Sequence, residues 1–154
     1  MGHLRNFVAA ESGQYLAAGA LHVPKHHPVI EMAIEEFRTT YWRQNWGYNG
    51  PELLTRVMKV WCRTDDVPSM KRDTCGDLDV LSPTSFYPVH WKAWQPLFAD
   101  SADAEWTPPH DTVAVHMWNQ FTSGVAVLKN SSQLYSRLAK DNCPRVFFSA
   151  EDIF

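Results

Sequence analysis

The stretch from Asn45 to Cys62 constrains this chain more than any other. A Gly47-Tyr48-Asn49-Gly50-Pro51 turn follows Trp46 and runs directly into an apolar-periodic segment that ends on a cysteine. Proline is tolerated at the first position of a helix, where its missing N–H costs nothing, so Gly50-Pro51 predicts a helix start. Glu52 falls in the first turn, where a carboxylate complements the positive end of the helix dipole. Leu53, Leu54, Val57, Val60 and Trp61 recur at helical spacing and define its expected buried side. A turn this rigid either caps a helix or presents something to a ligand.

The flanking segments alternate in type. Tyr15–Val23 is small and apolar and reads as a strand stopped by Pro24. Pro28 opens a second helical pattern, with Ile30, Ala33, Ile34, Phe37 and Tyr41 on an expected core face and Glu31, Glu35, Glu36 and Arg38 opposite. Asp79–Leu81 reads as a short strand, Phe86-Tyr87-Pro88 as an aromatic turn, and Trp91, Trp94 and Phe98 as one face. A loop over 99–111 precedes Thr112–Trp118, whose alternation predicts a strand. Ser131–Lys140 reads as a last helix, stopped by Asn142-Cys143-Pro144. Alternating strands and helices without repeats or a long linker predict one α/β domain over 1–154.

Charge and composition exclude several classes. The net charge is −3 and Lys and Arg do not cluster, so a nucleic-acid footprint is absent. No apolar run approaches the roughly 20 residues of a membrane span. The start lacks a signal-peptide apolar core, and Asn6 breaks the myristoylation pattern. With 45% hydrophobic and 20% charged residues the chain can bury a core. Seven tryptophans are unusual at this length. Most fill a core, but indole faces also stack on the C–H faces of sugars while amides and carboxylates take the hydroxyls. Cys62 and Cys75 enclose a polar loop with no apolar periodicity. A bridge there, the favoured reading, stabilises by about 3 kcal/mol in the loop-entropy model. Zinc is disfavoured because no CxxC or HxxxH spacing accompanies these cysteines. Cys143 is left over, either a thiol with a missing partner or a buried free one.

Taken in order, several blocks resemble the conserved region of the alpha-1,4-glycosyltransferases. They are Trp46-Gly47 with Gly50-Pro51-Glu52-Leu53-Leu54-Thr55-Arg56-Val57, Trp61-Cys62, Phe86-Tyr87-Pro88-Val89, Trp91 and Trp94, Val115-His116-Met117-Trp118-Asn119, and Cys143-Pro144. The likeness covers about residues 15 to 147. It implies the C-terminal part of a GT-A type fold, lacking the N-terminal nucleotide-binding half, and a retaining transferase. The implied donor is a UDP-sugar carrying galactose, GalNAc or GlcNAc, the acceptor a glycolipid or glycan, the cofactor a manganese ion. A Golgi home is implied as well, with a membrane anchor outside the chain. The resemblance assigns Asn49 and Glu52 to the catalytic face, Trp46, Gly47, Gly50, Pro51, Trp118 and Asn119 to substrate, and His116 to the metal. Capping for Asn49, dipole compensation for Glu52 and a hydrogen-bonded role for His116 remain the plainer readings.

Two departures qualify the likeness. The family's Asp-x-Asp is expected upstream of Tyr15, so the chain is expected to be a fragment, truncated product or degenerate paralogue, inactive alone. Asp77-Leu78-Asp79 has that spacing in the wrong place. The run Leu16-Ala17-Ala18-Gly19-Ala20 carries alanine where relatives often place a sugar-binding Asn. Asn130-Ser131-Ser132 is an N-glycosylation sequon. A sugar-binding remnant without turnover and an unrelated Trp-rich module are the competing classes. On the transferase reading, Asn49, Glu52, His116, Trp118 and Asn119 are expected to line one concave surface.

Overall fold

The computed structural model describes residues 5–100 and 106–153, and the chain divides after Tyr87 into two units. In the first unit, β1 (Phe7–Ala10) lies between β2 (Leu16–His22) and β3 (Asp79–Leu81). It pairs antiparallel with β2, placing Val8 opposite Leu21, and parallel with β3, placing Val8 opposite Val80. Ser12 closes the β1–β2 turn, its hydroxyl accepting from the Gln14 and Tyr15 amides. The sequence reading places β2 and β3 but misses β1. Four residues are too short for alternation to show, and Val8, Ala9 and Ala10 are all buried, as a central strand allows.

Helix α1 (Pro28–Thr40) starts at the expected proline, capped by His27, whose Nδ1 accepts from the Val29 amide at 3.2 Å. Its expected core face requires correction. Of that face Ile30 and Ala33 pack against the core, but Ile34, Phe37 and Tyr41 are exposed, and the inward stripe runs through Val29, Ile30, Met32, Ala33, Glu36 and Thr40, shifted round the helix. The inward stripe is part polar because it meets α2 (Pro51–Cys62) through an ion pair, Arg56 Nε to Glu36 Oε1 at 2.7 Å.

Helix α2 buries Leu53, Leu54 and Val57 as expected and Met58 and Cys62 besides, whereas Val60, expected on the buried side, is exposed. Trp61 is half-buried and donates its Nε1–H to the Cys75 carbonyl at 2.8 Å. The chain leaves α2 through Arg63 in the left-handed conformation, whose amide reaches the Lys59 and Val60 carbonyls. Cys62 and Cys75 form a disulfide across the loop, and both are buried. α3 (Arg72–Cys75) then leads into β3. The core of this unit gathers Val8, Leu16, Val29, Leu54, Met58, Val67, Met70 and Leu78.

Among its described residues the second unit holds only an isolated antiparallel bridge, Leu128 with Ile153. Thr112–Trp118 is therefore not a strand, contrary to expectation. Alternation specifies a half-buried extended segment, but a strand also needs a ladder partner. Helices α4 (Asn119–Thr122), α5 (Leu134–Asn142) and α6 (Pro144–Ser149) follow. α5 starts three residues later than expected, because Gln133 is spent on the preceding loop. Its side chain accepts from the Leu128 amide and donates to the Phe98 and Ala126 carbonyls. α6 was not anticipated. Pro144, read as a stop, is its first residue. Cys143 is an exposed free thiol between α5 and α6, which excludes the buried alternative. Part of the expected loop over 99–111 lies outside the described residues.

Two stability outcomes follow. Met58, fully buried at the centre of α2, is expected to cost about 2–5 kcal/mol as Met58→Ala in urea unfolding. The double change Cys62→Ser with Cys75→Ser is expected to cost about 3 kcal/mol, and non-reducing peptide mapping of the native chain should recover the bridged pair.

Candidate functional site

In the first unit the turn before α2 is tied at three points. The Asn49 side chain brackets the backbone of Trp42, donating to its carbonyl at 2.7 Å and accepting from its amide at 3.0 Å. Asn45 accepts from the Gly47 amide at 3.2 Å, and its Nδ2 lies 3.4 Å from Glu52 Oε1. The Arg56 guanidinium sits 4.2 Å from the Tyr48 ring centroid, which packs edge-on against Trp42 at 5.3 Å. Asn49 thus does not cap α2. The N-cap is Gly50, which has no side chain to give. A Cβ at Gly47 would stand 3.2 Å from Glu52 Oε1, and one at Gly50 would stand 3.8 Å from Ala18 Cβ.

These ties leave Trp46 at the tip, 85% exposed. An indole that buries nothing in its own unit, on a backbone fixed by neighbouring side chains, is a ready stacking face. The Glu52 carboxylate is half-buried and held toward Gly47 and Asn45. Pro51 opens the helix as expected. Ala18 and Gly19, in the β2 run where the resemblance leads one to expect a sugar-binding Asn, are exposed, and Ala18 lies against Gly50 of this turn.

The Asp77-Leu78-Asp79 pair is occupied by the protein. Asp77 accepts from His27 Nε2 at 3.1 Å and from Asn6 Nδ2, while Asp79 pairs with Arg72. Its link to His27, opposed by slight desolvation and aided by Asn6, holds the Asp77 carboxyl below the usual carboxylate range. The pair ties the cap of α1 to the entry of β3.

In the second unit Trp118 is buried in the left-handed region at φ 54°, an uncommon conformation for a bulky residue. Hydrogen bonds at its amide, indole and carbonyl hold it there. Its amide donates to His116 Nδ1 at 3.1 Å, its Nε1–H to the Val89 carbonyl at 2.9 Å, and its carbonyl accepts from the Phe121 amide at 2.7 Å. His116 packs against the Trp118 ring at 4.4 Å, and desolvation lowers its pKa below the ordinary imidazole value. Asn119, the first residue of α4, is exposed. His116, Trp118 and Asn119 are therefore gathered in one unit, and Trp46, Gly47, Asn49, Gly50, Pro51 and Glu52 in the other.

The expected manganese ligand meets a chemical objection here. With Nδ1 accepting a backbone N–H, neutral His116 carries its proton on Nε2, so neither nitrogen offers a lone pair to a cation. Among the described residues no three His, Cys, Asp or Glu side chains gather as a metal site. His116, held in this way, does not offer the ligand that the resemblance implies. Asn130 is exposed in a turn before α5.

The chain belongs to the alpha-1,4-glycosyltransferase family, whose conserved region matches residues 22–150. It is 33% identical over 146 residues to a human alpha-1,4-N-acetylglucosaminyltransferase, covering 92% of this chain and 42% of that protein. It is 32% identical over 143 residues to mouse lactosylceramide 4-alpha-galactosyltransferase, covering 92% of this chain and 39% of the relative. The chain thus spans about two fifths of the length of these relatives. No solved structure matches it.

The braced turn and the His27–Asp77 tie each predict a measurable outcome. Asn49→Ala is expected to destabilise by about 1–2 kcal/mol, leaving both Trp42 backbone groups to water, and to lower the fluorescence anisotropy of Trp46. Asp77 has a depressed folded pKa, so its contribution is present above the ordinary carboxylate pKa and fades as pH falls through the depressed one. Asp77→Asn should therefore flatten the acid limb of a urea-midpoint-against-pH curve while changing little at neutral pH beyond a constant offset.

Proposed function

We propose that this chain is the C-terminal part of a GT-A type, retaining hexosyltransferase. It acts in the Golgi lumen, moving galactose, GalNAc or GlcNAc from a UDP-sugar in alpha-1,4 linkage to a glycolipid or glycan. The observation that carries this reading is the near-complete family match, together with relatives whose names share the alpha-1,4 or 4-alpha linkage. The turn supports it from the chemical side, with the exposed Trp46 indole at its tip and the Glu52 carboxylate held near Gly47.

In this reading Trp46 stacks on a sugar ring, and Gly47 and Gly50 let that ring approach the backbone. The Glu52 carboxylate faces the anomeric carbon and stabilises the positive charge that grows there as UDP departs. Asn49, with its amide committed to Trp42 at both ends, positions the turn. Trp118 and Asn119 lie on the donor side. Because His116 does not fit a metal ion as it stands, no step here runs through manganese. Asn130, exposed in its turn, is offered as a glycan acceptor. A sugar-binding remnant without turnover is the alternative reading.

The test is a chimaera in which this chain replaces the matched segment of mouse lactosylceramide 4-alpha-galactosyltransferase, assayed on lactosylceramide with UDP-galactose. Transfer above the vector control is expected. Glu52→Gln in the chimaera is expected to lower kcat about a hundredfold with KM little changed. A secreted, folded chimaera that transfers nothing overturns the transferase reading and leaves the remnant. The 154-residue chain assayed alone is expected to show no turnover.

A further inference from the structure

The Asn130-Ser131-Ser132 sequon sits on a tight turn of the second unit. The Ser131 amide donates to the Leu128 carbonyl at 3.1 Å, which closes the turn with Asn130 just before its last residue. Asn130 is exposed there, whereas Ser131 and Ser132 are half-buried. A carboxylate from far back in the chain engages Ser132. The Ser132 hydroxyl donates to Asp100 Oδ1 at 2.7 Å, and its amide donates to the same oxygen at 2.8 Å. These two bonds, the hydroxyl's first, hold the Asp100 carboxyl below the usual carboxylate range against slight desolvation.

That contact is one part of a longer seam. The buried Gln133 donates from Nε2 to the Phe98 carbonyl at 2.9 Å, and the Phe98 ring stacks on Tyr135 with centroids 5.7 Å apart. From the other side, the Lys129 amide donates to the Asp152 carbonyl at 2.9 Å, and the Lys129 carbonyl accepts the Ser136 hydroxyl at 2.7 Å. Residues before and after Asn130 are thus tied both to an earlier segment and to a later one. The conformation of the sequon belongs to the packed unit, not to the local chain.

We infer that Asp100 is a folding-dependent lock on the sequon: Asn130 accepts a glycan while the Ser132 hydroxyl is free, and stops accepting once Asp100 has engaged it. The inference rests on the reading of Asn130 as a glycan acceptor and adds when that site is open. In the transfer, Asn130 Nδ2 bonds to the anomeric carbon of a lipid-diphosphate-linked oligosaccharide. The bond from that carbon to the diphosphate oxygen breaks, the amide loses one proton, and the lipid diphosphate leaves with the electron pair. The hydroxyl two residues after the asparagine defines a sequon, so the transferring enzyme has to reach it. A serine hydroxyl has one proton to donate. In the folded chain that proton goes to a charged acceptor, in a bond roughly twice as strong as a neutral one. Drawing the sequon into another enzyme's cleft also means parting Gln133 from Phe98. Asp100 is synthesised before the sequon, so the lock is at hand as soon as the second unit begins to close.

The test uses the full chain made in a bacterial host, folded and without glycans. It is incubated with an oligosaccharyl transferase and lipid-linked oligosaccharide, and intact mass reads the fraction modified. The native chain is expected to react slowly, and folded Asp100→Ala about tenfold faster. Asp100→Asn keeps an acceptor oxygen for the same two donors and is expected to stay within about threefold of the native rate. Phe147→Asp, which places a charge at a buried position of α6 away from the sequon, opens the second unit and should react fastest. Ser132→Ala should abolish transfer in every form. A native chain modified as fast as Phe147→Asp overturns the lock and keeps Asn130 as an acceptor. Equal, slow rates for the native chain and folded Asp100→Ala overturn it as well, because the unit then closes the sequon without Asp100. If Asp100→Ala does not fold, hydrogen exchange at the native Ser132 amide decides. Modification that matches the open fraction it reports supports the lock, and modification in excess of that fraction overturns it. No transfer to Phe147→Asp sinks the acceptor reading itself, and the lock with it.

Discussion

Helix α2 is pinned at both ends, and the first unit depends on it. At its start, Thr55 gives its hydroxyl oxygen to the Leu16 amide at 2.9 Å, fastening the first turns of the helix to β2. The same hydroxyl donates to the Pro51 carbonyl, so one side chain links turn, helix and strand. At its end, Cys62 is bridged to Cys75, and a few residues later the chain enters β3 beside β1. Between these anchors Leu54, Val57 and Met58 fill the space over the sheet. A parallel pairing such as β1 with β3 needs a long crossover, and this helix with its disulfide loop forms the last part of it. Without the two anchors, a three-residue strand would have little to hold its register.

The same anchoring explains why aromatic side chains stand in solvent. Exposed rings are usually costly liabilities, since their burial would release water from a large apolar area. Here they occur on ground stiffened by polar bonds: Trp46 on a turn tied by Asn45, Asn49 and Arg56, and Phe121 on a turn tied through Trp118. A ring on a rigid base loses little entropy when any flat ligand stacks on it, so more of the contact energy would appear as affinity. Ile34, Phe37 and Tyr41 differ, lying on a regular helix face without such bracing. Nothing in the structure says what covers them.

The helix starts and the bridged loop that frame the candidate site were legible in the sequence. Gly50-Pro51 set the start of α2 to the residue, and Pro28 did so for α1, because proline admits only one place in a helix. The cysteine loop was legible because a polar segment with no periodicity cannot hold itself. Asn49 shows the limit. Its type and place suggested capping, but an amide has several partners within reach, and the choice of Trp42 depends on how the chain returns after α1. The strand reading of Thr112–Trp118 failed for a related reason, since alternation reports exposure on two sides and says nothing about a ladder. β1 was invisible because four small apolar residues carry no period.

By itself, the sequence determined the local facts: helix starts, the turn before α2, the bridged cysteines and membership of the alpha-1,4-glycosyltransferase family. These rest on dihedral limits, dipoles and residue spacing, which act over a few positions or survive as motifs. The tertiary structure decided the choices among equivalent neighbours. It selected which stripe of α1 faces inward, sent both Asp77 and Asp79 to protein partners rather than a cation, and set Phe121 upon Trp91. Such choices depend on contacts between residues far apart in the chain, where each side chain has several acceptable partners and only the packed whole ranks them.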